Sequence, residues 1–224
     1  MANSSTKDDD TAQDISWQAQ KSAMTRDRIL DAAISCFIEL GYTNVTTAKV
    51  ASAAGVSRGA MLHHFPSKTE LIQAAVEYLH VKLLEDYTER VKSISPKLKG
   101  RKFRRAGIDA YWQHLTGDLF TAYHELCVAG RTDSELKAIL EKSSVKFDMH
   151  VQESNKELFK DWEGTGDRFL LAMDVTKFMM EGLAVGQLVV DREERVNRVL
   201  DYLADRLEEI FQEGTSGAIG RHSS

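Results

Sequence analysis

The chain has 224 residues, 29 basic and 34 acidic side chains, and an apolar fraction of 42%. That is enough chain for one large domain or two small ones with a buried core. No stretch free of Asp, Glu, Lys and Arg exceeds nine residues, which excludes a membrane-spanning helix of about 20 apolar residues.

With 14 glycines and 2 prolines over this length, long helices are expected rather than a many-stranded sandwich or barrel. Residues 1–21 are polar and hold no sustained helical period, so they read as a flexible N-terminal arm. Ile29, Ala33, Cys36, Phe37 and Leu40 then follow a 3.6-residue period, with Thr25 as a possible cap and Gly41 as the stop. Thr47 to Ala54 reads as a short second helix closed by Gly55. A third starts after Ser57 and halts at Phe65-Pro66, because proline pushes the residue before it out of the helical region. Ser67-Lys68-Thr69-Glu70 is a capping box, and Leu71, Ala75, Tyr78 and Leu79 carry the stripe of a fourth helix. Pro96 and Gly100 mark a break. Five further helical stretches follow, roughly 103–116, 118–129, 133–160, 167–190 and 192–212, before a Gly- and Ser-rich tail over 214–224. The expected fold is all-α with about nine helices.

Charge divides unevenly along this order. Residues 1–21 carry a net −2, residues 22–105 carry 14 basic and 8 acidic groups for +6, and residues 106–224 carry −9. A polyanion, if one is bound, would be met by the first half, although solvated charges scattered by chance give the same split. Asp8, Asp9 and Asp10 do not suit a secretory leader, and Cys36 and Cys127 supply neither a disulfide framework nor a four-ligand zinc site. A cytoplasmic location is expected, with no membrane contact.

The informative block runs from Thr46 to Phe65. Two short helices joined at a glycine make a helix-turn-helix, for which Val50, Ala54, Val56, Met61 and Phe65 can form the core. The third helix opens with Arg58 and the fourth with Lys68, both the wrong sign for a helix start. Gly59, in the first turn of the third helix, loses up to about 1 kcal/mol against alanine. A phosphate backbone across both helix starts would account for these local losses, with Gly59 letting main chain approach the base edges. The plainer alternative is that Arg58 and Lys68 are solvated surface cations.

Residues 25–71 resemble the DNA-binding domain of the TetR family of bacterial regulators. The matching pieces are Phe37-Ile38-Glu39-Leu40-Gly41-Tyr42, Thr46-Thr47, Ala54-Gly55-Val56-Ser57-Arg58-Gly59 and His63-His64-Phe65-Pro66-Ser67-Lys68, with Ala129 to Leu136 resembling a later family segment. The resemblance implies that Thr47 donates to a phosphate and that Ser57, Arg58, Gly59 and Ala60 face the major groove. It also implies phosphate contacts from His63, His64 and Lys68. Leu62 departs from the tyrosine most common there, so it packs or touches sugar and thymine methyl groups instead.

The implied division is 1–21 arm, 22–70 DNA-binding domain, 71–213 ligand-binding and dimerisation domain, and 214–224 tail. Trp112, Phe120, Tyr123, Phe147, Met149, Met173 and Phe178 are expected to line an apolar effector cavity, although aromatics and methionines of this kind are more often plain core. The last two helices carry Gly182, Ala184 and Gly186 on one and Val196, Val199, Leu200, Leu203, Leu207, Ile210 and Phe211 on the other. The resemblance implies that they pair with a second copy, the alternative being that both merely cover the bundle core. Lys97, Lys99, Arg101, Lys102, Arg104 and Arg105 form a basic run that reads as a solvated helix start before it reads as a DNA contact. His124, Glu125 and Cys127 do not share one helix face, Gly164-Thr165-Gly166 lacks a preceding strand, and no catalytic constellation is present, so neither metal, cofactor nor enzyme activity is expected. The expected function is a ligand-responsive transcriptional repressor. It would act as a homodimer on a palindromic double-stranded operator, released by a small-molecule effector. The alternative is a helical small-molecule binder or enzyme whose helix-turn-helix no longer binds DNA.

Overall fold

A computed structural model describes the backbone over residues 5–190 and 193–219, and side chains over 17–190 and 193–215. Among the described residues there are nine α-helices and no strand. In chain order they are α1 (Ser5–Leu40), α2 (Thr47–Ala53), α3 (Arg58–His64), α4 (Lys68–Lys92), α5 (Gly100–Leu115), α6 (Asp118–Ala129), α7 (Ser134–Leu158), α8 (Asp167–Gln187) and α9 (Glu193–Ile219). Single 3-10 turns occupy Tyr42–Asn44 and Lys160–Trp162. No described helix is long and apolar enough to cross a membrane.

The first helix begins earlier than the sequence reading placed it. Residues 5–21, read as an arm, are helical, and Thr25 is no cap: its hydroxyl donates to the Lys21 carbonyl inside the helix, at 2.9 Å. The stretch from Asn3 to Leu40 contains neither glycine nor proline, and three aspartates fall near its start, where the helix dipole favours acids. At the other end α9 continues to Ile219, through part of the stretch read as a tail, while residues 220–224 lie outside the described residues.

The chain forms two compact units, Met1–Leu79 with Ala122–Glu141, and His80–Thr121 with Lys142–Ser224. In the first, the buried side of α1 (Ile29, Leu30, Ala33, Phe37) shares a core with Val50, Met61, Phe65, Leu71, Ala75 and Leu79. Gly41, at φ +72, takes a conformation that β-carbons disfavour and turns the chain out of α1.

The second unit packs α5, α8 and α9 together. Val196, Leu200, Leu203, Ala204 and Leu207 recur on one face of α9 and are buried. Leu203 and Leu207, expected on the dimer face, are 0% and 5% exposed within the single chain, so they belong to its own core. The basic run also differs from its reading as a solvated helix start. Arg101 pairs with Asp205 and Asp201, Arg105 with Asp201 at 2.9 Å, and Arg104 with Asp161 at 2.6 Å. Arg104 is itself buried, with its guanidinium 4.3 Å from the Phe211 ring centre and 5.0 Å from that of Trp162.

Candidate nucleic-acid interface

The helix-turn-helix is held by local chemistry that its sequence encodes. Thr46 caps α2 by accepting from the Lys49 N–H at 3.3 Å, and Ser57 caps α3 by accepting from the Ala60 N–H at 3.1 Å. Between them Gly55, at φ +63, makes the turn. Val50, Ala54, Met61 and Phe65 are buried and Val56 half-buried, which ties α3 to the core by one side only.

The other side of α3 is open. Ser57, Arg58, Gly59, Leu62 and His63 are exposed, while Thr47, Ala60 and His64 are half-buried. Leu62, a large apolar side chain, is 43% exposed, so it is not part of the unit's core. A β-carbon built at Gly59 would meet only Ser57 Oγ, at 3.9 Å. Packing within the chain therefore does not require glycine there, and the helix loses stability by having it. Burial, with His63 and Arg26 nearby, holds the His64 imidazole below its usual pKa.

Lys68 opens α4 beside this face. The preceding Ser67 accepts from the Glu70 N–H at 3.1 Å and donates to its carboxylate at 3.0 Å, a side-chain closure of the capping box. The Lys68 ammonium is exposed and lies 5.7 Å over the Tyr42 ring, so its stem is steered rather than free. Tyr42 is in turn fixed by contacts that the sequence reading missed. Its backbone N–H donates to Glu125 at 3.0 Å and its hydroxyl donates to Asp133 at 2.9 Å. A β-carbon at Gly41 would lie 2.4 Å from Glu125 Oε1, so a side chain there would displace the Glu125 carboxylate, while the positive φ is what calls for glycine. Thr69 donates to Glu135 from the same segment. No signal in the sequence joins positions more than 60 residues apart in this way.

The residues expected to line an effector cavity are not all inward. Phe120 is buried, and Trp112, Tyr123, Phe147 and Met173 are half-buried. Met149 and Phe178 are 57% and 69% exposed, so they face away from the core of the single chain.

Comparison with known proteins agrees with this geometry. The family described as "Bacterial regulatory proteins, tetR family" matches residues 29–75. The HTH-type transcriptional regulator CymR of Pseudomonas putida is 34% identical over 127 residues, covering 56% of this chain and 61% of CymR. The uncharacterized HTH-type transcriptional regulator TtgW of Pseudomonas putida is 32% identical over 106 residues, 47% of this chain and 68% of TtgW. A TetR-family structure from Rhodococcus sp. superposes with a TM-score of 0.63 at 18% identity, covering 84% of this chain and 99% of that one. With its cap residues, turn glycine and open α3 face where such a module needs them, the chain belongs to the TetR family of helix-turn-helix transcriptional regulators.

Proposed function

We propose that the protein is a repressor that binds a palindromic operator as a homodimer and leaves it when a small molecule occupies the second unit. The observation that carries the DNA half is the open face of α3, where Gly59 weakens the helix with no packing reason and Leu62 stands in solvent. Arg58 reads base edges, Ser57, Gly59 and Ala60 bring main chain and small side chains close to them, and Leu62 packs on sugar and methyl groups. Thr47, His63, His64 and Lys68 take phosphates. Residues 22–70 are the working DNA-binding segment and residues 71–213 the effector and dimer segment.

The dimer half rests on apolar surface. Leu170, Leu171, Phe178 and Val185 on α8 and Tyr202 on α9 are exposed in the single chain, and β-carbons at Gly182 and Gly186 would meet open space. A second copy laid against α8 and α9 would cover these side chains and let backbones approach at the glycines. Two recognition helices held by one interface would then match the two half-sites of a palindrome. An effector releases DNA only by as much as it prefers the non-binding conformation.

Selection of bound fragments from the source genome, followed by titration of the best fragment at increasing salt, tests this reading. Recovery of a palindrome whose affinity falls steeply with salt is expected. Absence of any bound fragment at low salt would overturn it.

A further inference from the structure

The second unit contains a polar cluster set among aromatic rings. His114 on α5 is only 7% exposed, and its Nδ1 lies 2.8 Å from Asp86 Oδ2 on α4. Asp86 also accepts from Arg90 Nε at 2.9 Å. Burial pushes the Asp86 carboxyl up, but the hydrogen bonds from Arg90 and His114 overcome this and hold it below the usual range. A carboxylate only accepts, so Nδ1 carries the proton. Burial also holds His114 below its usual pKa, against the pull of Asp86, which keeps the ring neutral at pH 7. Its Nε2 is then a lone-pair acceptor, and no described residue donates to it.

Aromatic rings surround this imidazole. Tyr111 stacks on it with centroids 5.9 Å apart at 15°, Tyr87 is tilted at 5.8 Å, and Phe120 is tilted at 6.1 Å. The Tyr87 hydroxyl is taken by Asn155 at 2.8 Å, which fixes that ring. The Tyr111 hydroxyl has no hydrogen-bond partner among the described residues. Burial, with the Glu181 carboxylate nearby, pushes its pKa well up, so it stays a donor. Arg90, the cation that could receive an anion, is already engaged by Asp86 and by Gln113.

We propose that this cluster receives a neutral aromatic alcohol of the phenol class, its hydroxyl donating to His114 Nε2 and its ring lying against Tyr87, Tyr111 and Phe120. The same hydroxyl oxygen can accept from Tyr111. A carboxylate would meet no unpaired cation here and would face the Asp86 and Glu181 charges. An ether or hydrocarbon would leave the buried imidazole acceptor unsatisfied. This assignment rests on the effector reading above and names the chemistry of its ligand.

Phenol, anisole, benzoate and benzylammonium titrated into the full chain by calorimetry test it without DNA. Phenol should bind about tenfold tighter than anisole, which has the ring and oxygen but no donor. The His114 Nε2 nitrogen resonance should shift with phenol alone. Tyr111→Phe should weaken phenol roughly three- to tenfold and leave anisole unchanged. His114→Phe should erase the phenol preference. If that variant fails to fold, the wild-type phenol and anisole comparison still decides. Equal binding of phenol and anisole, tighter binding of benzoate or benzylammonium, or no binding by any probe would overturn the assignment. Phenol that binds but leaves the operator complex intact would sink the effector reading and spare the site. Operator release by another compound, with phenol inert, would sink the site alone.

Discussion

Replacing Gly59 with alanine should move stability and DNA affinity in opposite directions. The new methyl meets nothing nearer than Ser57 Oγ at 3.9 Å, and Gly59 is not among the glycines with positive φ, so the backbone accepts alanine without strain. Alanine should stabilise α3 by about 0.5–1 kcal/mol, the lower figure fitting a first-turn position. For a domain of this size each kcal/mol raises Tm by about 2–4 °C, so a rise of roughly 1–4 °C is expected in the free protein. On DNA the same methyl holds the start of α3 off the base edges. Loss of one good base contact is worth about 1–3 kcal/mol, a drop of roughly fivefold to 150-fold in affinity. Thermal melts by circular dichroism, paired with anisotropy titration of a selected operator at fixed salt, give both numbers. A raised Tm with unchanged affinity would refute the placement of this face against DNA. A lowered Tm would refute the claim that glycine there serves no packing role.

Arg58→Ala should relax base preference at one position of each half-site, whereas Lys68→Ala should weaken all sequences alike and flatten the salt slope; equal loss of preference in both contradicts this division. Phe178→Glu with Tyr202→Glu should give a folded monomer in sedimentation that no longer binds operator, since both side chains are exposed in the single chain. By contrast Leu203→Glu, at a fully buried position, should unfold the second unit, and a folded monomer from Leu203→Glu would place the interface on the inner face of α9. Because the folded state lowers the His114 pKa from its ordinary 6.5, its contribution to stability is complete above that value and is lost as pH falls toward the folded-state pKa. His114→Gln should therefore flatten the fall of Tm as the pH drops below 6.5, and an unaltered slope would assign the acid sensitivity to other groups. Tyr42→Phe removes a hydrogen bond to the Asp133 carboxylate and should destabilise the first unit by about 1–2 kcal/mol in denaturant melts, with no change expected if that bond is replaced by water.

Local features of the helix-turn-helix were legible because their causes lie within a few residues of each other. Ser57 to Ala60 and Ser67 to Glu70 are caps three residues apart, and Gly41 and Gly55 mark chain turns that need positive φ. The same locality misled at Thr25, whose hydroxyl can cap a helix start or bond back along a continuous helix; only the absence of any breaker upstream separates the two. Long-range partners left no trace in the sequence. Glu125 was weighed with its neighbours His124 and Cys127, yet it reaches across 83 residues to the Tyr42 N–H. Periodicity identified the apolar stripe of α9 but could not tell whether Leu203 faced its own core or a second copy, since both surfaces select the same residues. The polar cluster at His114 was invisible for a related reason. Its members come from α4, α5 and α7, and none of them is unusual alone.

The pairing of Arg101, Arg104 and Arg105 with Asp201, Asp205, Glu208 and Asp161 changes how salt will report on this protein. Composition credits residues 22–105 with a surplus of six positive charges, but three of its arginines are partnered inside the second unit. Counterions released on binding come only from phosphates that protein cations actually replace. The slope of log affinity against log salt thus counts the cations that meet phosphate, and the three paired arginines of the basic run are not expected among them. Charge reversal at Arg101, which is engaged by Asp205 and Asp201, should leave that slope where it stands.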